Sequence, residues 1–84
     1  MLSVRFFSLL REALNTEVLE LEWSSRCCTV GALKQELIKQ NGSFWEEQLT
    51  HPNVIHAVNQ RVVTTEEPLH DGDEIAFFPP MTGG

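Results

Sequence analysis

The residues that could carry chemistry are concentrated at the end of the chain, which reads Phe77-Phe78-Pro79-Pro80-Met81-Thr82-Gly83-Gly84. Two prolines favour an extended backbone and remove two hydrogen-bond donors, so the chain must leave a sheet at this point. Two glycines lack Cβ atoms and therefore fit a channel that excludes larger residues. We predict an extended arm over residues 79–84 that presents its terminal carboxylate to another molecule.

The carboxylate of Gly84 is a weak electrophile because its negative charge repels nucleophiles. It needs activation, most simply as a mixed anhydride with a nucleotide phosphate, before an amine, a thiol or sulfide can accept the acyl group. The alternative is a frayed chain end without chemistry, but such ends are usually polar and mixed in composition. We therefore predict that Gly84 is the reacting residue and that five residues guide it, namely Pro79, Pro80, Met81, Thr82 and Gly83.

Length and charge restrict the architecture and the partners. The 84 residues suffice for one domain, and a hydrophobic content of 42% supports a single core. We predict a folded domain over residues 1–78 and a tail over 79–84. Twelve acidic and six basic residues give a net charge of −6. This charge argues against nucleic acid or a membrane as partner and for a protein with a basic groove.

The cysteines and histidines do not have the spacing of a metal site. Cys27 and Cys28 are adjacent, so they form neither an unstrained disulfide nor the two-residue gap of a metal knuckle. His51, His56 and His70 lack the helical spacing of paired ligands. We expect reduced thiols, surface histidines and no metal. Because we find no signal peptide and no long apolar run, we also expect a cytoplasmic protein.

The first part of the chain has the pattern of two strands around a short helix. Leu2, Val4 and Phe6 alternate with more exposed positions, which predicts a strand with one buried face. A helical turn over 10–14 should end at Asn15, a residue that tolerates the left-handed conformation. Alternation over 19–23, up to Trp23, predicts a second strand that pairs with the first.

The middle of the chain predicts one main helix and one short helix. Thr29 is a suitable N-cap, apolar residues recur at helical spacing up to position 38, and Asn41-Gly42 supplies the stop. Ser43 and Glu46 match the capping box of a second helix that extends to about position 49. Within it, Phe44 or Trp45 should seal an edge of the core.

The last part of the chain predicts three strands, over 54–58, 61–64 and 74–78, with turns at 59–60 and 71–73. This order fits an α+β fold in which a mixed sheet packs on one main helix, the β-grasp (ubiquitin-like) arrangement. The first and last strands would then be parallel neighbours at the sheet centre. Phe7 and Phe78 would lie together on the outer face, with Val62 as a third member. We predict a partner-docking patch there; alternatively, a loop or the chain's own edge covers these residues.

Three segments resemble a known family. They are Val4-Arg5-Phe6-Phe7, Ala57-Val58-Asn59-Gln60 and the final fourteen residues from Asp71 to Gly84. The chain resembles over its whole length the small subunit of molybdopterin synthase, the MoaD family of ubiquitin-like sulfur carriers. The thiamine sulfur carrier ThiS shares the Gly-Gly tip but lacks the proline pair.

The resemblance implies a carrier function at Gly84. An ATP-dependent, E1-like adenylyltransferase of the MoeB type would adenylate this residue, and sulfur from a donor protein would replace AMP to give a thiocarboxylate. The tail would then enter the large subunit, MoaE, and donate sulfur to cyclic pyranopterin monophosphate in a heterotetramer. The resemblance implies no permanently bound cofactor, only ATP used by the activating enzyme, and no catalysis by the chain alone.

Two other kinds of function remain open on the sequence. A ubiquitin-like modifier, or a ThiS-like carrier for another pathway, would use the same activated Gly84. A β-grasp adaptor would not use it chemically. The chain contains neither a Gly-x-Ser-x-Gly motif nor a Cys-x-x-Cys motif that would indicate an active site of its own.

Overall fold

The structure, a computed structural model, describes residues 1–79. The elements in chain order are β1 (Leu2–Phe6), α1 (Ser8–Leu14), β2 (Val18–Leu21), α2 (Val30–Asn41), α3 (Ser43–Leu49), β3 (Ile55–Val58), β4 (Arg61–Val63) and β5 (Glu74–Phe78). A single 3-10 turn, Ser25–Cys27, precedes α2. Among these residues, no helix is both long and apolar enough to cross a lipid bilayer.

The five strands form one mixed sheet in the order β2-β1-β5-β3-β4. The central strand β5 runs parallel to β1, whereas the β1–β2, β3–β5 and β3–β4 pairs are antiparallel. The last strand thus lies beside the first, and the chain leaves the sheet from its middle. This arrangement confirms the α+β, β-grasp fold predicted from the sequence.

The core lies between the sheet and the helices. Alternate residues of β1 and β5 are at most 1% exposed, and they pack with buried residues of α2 (Leu2, Val4, Phe6, Ile75, Phe77, Val30, Leu33 and Leu37). Phe6 stacks on Phe77 at 5.6 Å between ring centroids, and Trp45 of α3 meets Phe6 edge-on at 5.4 Å. Trp45 therefore seals a core edge, whereas Phe44 is 51% exposed.

Two helix boundaries confirm the sequence-based predictions. The Thr29 hydroxyl accepts a hydrogen bond from the Ala32 N–H at 3.1 Å, which satisfies a backbone donor that the first turn of α2 leaves unpaired. Helix α1 ends at Asn15, whose φ of 50° is left-handed. The helix begins at Ser8, two residues before the predicted start.

The predicted capping box is wrong, although the predicted helix exists. Gly42 is the N-cap of α3, Ser43 is already the first helical residue, and no side chain caps this end. The reason is geometric: one residue separates α2 from α3, and that residue has a φ of 93°, which glycine adopts without strain. The Ser-x-x-Glu pattern is therefore shifted by one residue from the position that capping requires.

The predicted end of the second strand is also wrong. Strand β2 stops at Leu21, and Trp23 lies outside it, with 43% of its surface exposed. The register pairs Leu21 with Leu2, the first residue of β1, so β1 has no partner for Trp23. The Trp23 indole N–H instead donates a hydrogen bond to the Leu69 carbonyl at 2.8 Å. Similarly, β4 ends at Val63, one residue before the predicted end.

Candidate functional site: the end of strand β5

The central strand β5 ends at Phe78, and Pro79 follows it directly. Pro79 is half-buried. The other predicted site residues, Pro80, Met81, Thr82, Gly83 and Gly84, lie outside the described residues. Their roles as guide and as reacting group stay predictions, as does the division of the chain into a domain over 1–78 and a tail over 79–84.

Phe7 and Phe78 stack on each other at the point where β5 ends. Their ring centroids are 4.7 Å apart and their planes differ by 10°. The parallel pairing of Phe6 with Phe77 brings the next residue of each strand to the same side, and the Phe7 N–H donates to the Phe77 carbonyl at 3.2 Å. The sheet therefore fixes this aromatic pair, with both side chains half-buried.

Val62 lies on the same outer face as the aromatic pair. The strand register places Val62 opposite Ala57, Ala57 opposite Ala76, and Ile55 opposite Phe78. Val62 is 74% exposed, so no described part of the chain covers it. We call the set the apolar patch and define it as Phe7, Ile55, Ala57, Val62, Ala76 and Phe78; Ala57 is 4% exposed, and the other five residues are half-buried or exposed. Its function in docking stays a prediction.

A polar contact borders the apolar patch. Arg5 Nε donates to Glu74 Oε2 at 3.1 Å between β1 and β5. Their side chains are 46% and 39% exposed, so water screens the pair and its net contribution is at most about 1 kcal/mol. The apolar patch therefore ends at this ion pair.

The start of β5 is held by Asn59 and Asp73. The side-chain amide nitrogen of Asn59 donates to Asp73 Oδ1 at 2.9 Å, and Asn59 Oδ1 accepts the Glu74 N–H at 3.0 Å. Burial alone would raise the pKa of the Asp73 carboxyl. Hydrogen bonds from the His70 N–H and the Asn59 amide outweigh burial and hold the pKa below its usual value. These contacts fix the register that sets the position of Phe78.

A second feature lies on the inner side of the sheet, where Lys34 of α2 meets His56 of β3. The Lys34 residue is 9% exposed, and its Nζ lies 3.0 Å from His56 Nε2. Burial lowers the pKa of Lys34; burial and then the Lys34 charge lower the pKa of His56 from 6.5 to about 4. At neutral pH His56 is uncharged and accepts the hydrogen bond. The prediction that His56 is a surface residue was wrong.

Several residues of these two sites were not predicted from the sequence. Ile55, Ala57 and Ala76 follow the strand alternation that also places Phe78, so the signal was present. Lys34 shares the helical spacing of Val30 and Leu37, which would have placed it on the buried stripe. The other histidines, His51 and His70, are exposed.

The thiols have surroundings that suit a structural role. Cys27 is 2% exposed, and its sulfur lies 3.3 Å from the Glu22 carbonyl oxygen, which accepts its hydrogen bond. Cys28 is half-buried, and neither cysteine forms a disulfide. Within residues 1–79, no three His, Cys, Asp or Glu side chains are grouped as metal ligands would be.

Comparison with known proteins assigns the chain to a family. The family model described as ThiS family matches residues 4–84. The chain is 42% identical to a protein of Escherichia coli and 38% identical to one of Haemophilus influenzae. Both relatives are named molybdopterin synthase sulfur carrier subunit, and each match covers the whole of both chains over 84 residues.

Two solved structures share the fold. SAMP1 from Haloferax volcanii superposes with a TM-score of 0.79 at 21% identity and covers 99% of this chain and 98% of its own. One chain of the complex of subunits 1 and 2 of molybdopterin-converting factor from Helicobacter pylori superposes with a TM-score of 0.63 at 25% identity. That match covers 99% of this chain and 97% of the other. The chain therefore belongs to the ThiS family, and it is similar over its full length to two proteins named molybdopterin synthase sulfur carrier subunit.

Proposed function

We propose that this protein is the sulfur carrier subunit of a molybdopterin synthase and serves the biosynthesis of the molybdenum cofactor. The observation that carries the proposal is the 42% identity, over the whole of both sequences, to a relative named as such a subunit. On this proposal the protein is a carrier and not an enzyme on its own. The catalytic groups of the synthase belong to its large subunit.

The geometry of strand β5 supports this function. The chain leaves the middle of the sheet at Phe78, beside the apolar patch, so a partner that covers the patch also receives the residues that follow. From Pro79 to Gly84 an extended chain reaches at most about 20 Å, because each residue spans at most ~3.3–3.6 Å. That reach suits a carboxyl group that reacts inside a partner's pocket while the folded body stays outside.

The proposed chemistry takes place at the Gly84 carboxyl group. One carboxylate oxygen attacks the α-phosphorus of ATP, pyrophosphate leaves, and an acyl adenylate forms. Hydrosulfide released by the sulfur donor then attacks the acyl carbon, the acyl–oxygen bond breaks, AMP leaves with the electron pair, and loss of the proton gives the thiocarboxylate. This group is a strong nucleophile at neutral pH, and its attachment to a docked protein raises its effective concentration at the acceptor to the millimolar range of a short flexible tether.

The proposal includes three protein partners. The large subunit would bind the apolar patch and hold cyclic pyranopterin monophosphate, and two carriers would supply the two dithiolene sulfurs of a heterotetramer. A MoeB-like adenylyltransferase would use ATP to activate Gly84, and a sulfur donor protein would supply the sulfur. We place these events in the cytoplasm, where free thiols such as those of Cys27 and Cys28 stay reduced.

Intact mass spectrometry tests the proposal. The purified chain is incubated with ATP, the activating enzyme and a sulfur donor, and its mass should increase by the difference between sulfur and oxygen. Addition of the large subunit and cyclic pyranopterin monophosphate should return the mass to its starting value as molybdopterin forms. A mass increase equal to a whole second protein would instead indicate a modifier. An unchanged mass, with activating enzyme that is active on another carrier, would indicate an adaptor.

A further inference from the structure

The junction between α2 and α3 contains the only asparagine of the chain that is followed by glycine, Asn41-Gly42. The backbone nitrogen of the residue after an asparagine can attack the side-chain amide carbon. A glycine leaves that nitrogen open to the approach because it has no side chain. The other asparagines precede Thr16, Val54 and Gln60, whose side chains obstruct the same approach. The sequence therefore has one position that is suited to deamidation.

In the folded junction, both reacting groups are engaged elsewhere. The Asn41 side-chain amide donates a hydrogen bond to the Leu37 carbonyl at 2.8 Å, which turns this side chain back along α2. The Gly42 N–H donates to the Ile38 carbonyl at 2.8 Å and closes the last turn of the helix. Both hydrogen bonds must break before the Gly42 nitrogen can meet the Asn41 amide carbon. Ring closure therefore requires the end of α2 to open.

The packing of α3 helps to hold this junction closed. Gly42 is the single residue between the two helices, so a movement of α3 is passed directly to the end of α2. Trp45 of α3 meets Phe6 edge-on at 5.4 Å, and Leu49 is fully buried. Asn41 and Gly42 themselves are exposed, so water reaches them. Helix ends of this kind open at a smaller free-energy cost than the whole domain.

We propose that Asn41 is a deamidation site that the folded α2–α3 junction holds back, and that the reaction occurs when the end of α2 opens. This inference is independent of the proposed function. The Gly42 nitrogen loses its proton to water and attacks Asn41 Cγ, the bond from Cγ to Nδ2 breaks, and ammonia leaves with a proton from water. A cyclic succinimide remains. Water then opens the ring: attack on Cγ gives aspartate, and attack on the backbone carbonyl carbon gives isoaspartate.

Either product weakens the junction from which it forms. A carboxylate at position 41 cannot donate to the Leu37 carbonyl, and its charge lies at the negative end of the α2 dipole. Isoaspartate also lengthens the main chain by one carbon, directly before the single residue that joins the helices. Trp45 then loses its fit against Phe6. The reaction therefore prevents the closed junction from forming again.

The test compares the folded full chain with the same chain unfolded in guanidinium chloride, both kept at mildly alkaline pH. Trypsin releases residues 40–61, in which fragmentation locates the change from amide to acid and an isoaspartate methyltransferase labels isoaspartate. We expect modification at Asn41 in both samples, at least about tenfold slower in the folded chain because opening must precede ring closure. Equal rates, no reaction in the unfolded chain, or earlier reaction at Asn53 or Asn59 would overturn the inference.

Two variants of α3 test whether its packing holds the junction closed. Trp45→Ala removes the contact with Phe6 and should accelerate deamidation of the folded chain several-fold. Phe44→Ala is the matched control, since Phe44 lies one position earlier on the same helix and is 51% exposed, so the rate should stay that of the wild type. The same rate in both variants would contradict the part assigned to α3.

The stability of the product gives a further test that needs no change to the core. Ion exchange separates the isoaspartate form, and calorimetry compares it with wild type and with Asn41→Asp, which carries the charge without the longer main chain. We expect the melting temperature to fall from wild type to Asn41→Asp and further to the isoaspartate form. An isoaspartate form as stable as wild type would show that the junction forms again after the reaction.

Discussion

Phe78 combines two functions at one position, since its ring covers Phe7 and also forms part of the surface that a partner would contact. A glutamate in its place would put a charge on the apolar patch. We expect Phe78→Glu to weaken binding to the large subunit by about tenfold or more, as loss of a central aromatic contact does. Isothermal titration with the large subunit measures this effect.

Leu9→Glu is the matched control for Phe78→Glu. Leu9 is 71% exposed and lies on α1, outside the apolar patch, so the same charge there should leave the affinity unchanged. Equal losses for both variants would indicate a general charge effect, given the net charge of −6. An unchanged affinity for Phe78→Glu would show that the patch does not bind the large subunit.

His56 makes the stability of the fold depend on pH. Burial, and then the Lys34 charge, lower its pKa from 6.5 to about 4 in the folded chain. Between these values the unfolded chain binds more protons than the folded chain, so the free energy of unfolding falls as the pH decreases from 6.5 to about 4. Because His56 is only half-buried, we expect a loss of about 1–2 kcal/mol over this range.

The His56→Gln variant isolates this effect in urea denaturation at several pH values. Glutamine keeps an acceptor for Lys34 but does not titrate, while every carboxylate of the chain still does. The difference in unfolding free energy between wild type and variant should therefore change between pH 6.5 and 4. Parallel curves would show that His56 has an ordinary pKa in the folded chain.

At the scale of elements, periodicity and end signals in the sequence predicted most of the fold. Alternation located β1, the turn at 71–73 located the start of β5, and Thr29 with Gly42 bounded α2 correctly. The errors arose where tertiary contacts decide the outcome. Trp23 continues the alternation of β2, but the pairing with β1 already ends at Leu21 opposite Leu2. Its indole N–H bonds to Leu69 instead, and no local pattern reveals that partner.

The candidate site likewise includes one contact that the sequence predicted and one that it did not. The Phe7–Phe78 contact followed from placing β1 beside β5, which chain order alone suggests for this fold. The Lys34–His56 contact joins a helix to a strand 22 residues further along, so it depends on how the helix crosses the sheet. Sequence periodicity gives the buried face of α2 but not which strand residue meets it.

The two helix starts provide a direct test of local signals against structure. Both Thr29 and Ser43 match an N-cap motif in the sequence, but only the Thr29 hydroxyl accepts a backbone hydrogen bond. We expect Thr29→Ala to lower the unfolding free energy by about 1 kcal/mol, the usual cost of losing an N-cap. Ser43→Ala should change it by less than about 0.5 kcal/mol, as exposed substitutions do.

Chemical denaturation of the two alanine variants measures this contrast. Ala has the higher helix propensity, so at the first position of α3 it can even stabilise slightly. If Ser43→Ala lowered the unfolding free energy as much as Thr29→Ala does, Ser43 would be a true N-cap, contrary to the structure.

At the scale of the whole molecule, the fold and the proposed chemistry use different residues. The buried core is assembled from residues between Leu2 and Phe77, and the sheet is complete at Phe78. Every predicted reacting or guiding residue comes after that point. Deletion of Gly84 should therefore abolish the mass increase caused by sulfur while leaving the melting temperature of the domain unchanged.

Phe77→Ala provides the opposite case. Phe77 is fully buried and packs on Phe6 and His56, so its truncation should cost about 3–5 kcal/mol of stability. Differential scanning calorimetry and intact mass spectrometry on both variants measure the two properties side by side. A lower melting temperature on deletion of Gly84 would mean that the tail contributes to the stability of the folded domain. Sulfur loading that persists after this deletion would mean that the reacting carboxyl group is not that of Gly84. Because the two variants affect different properties, either result would contradict a specific part of the carrier proposal.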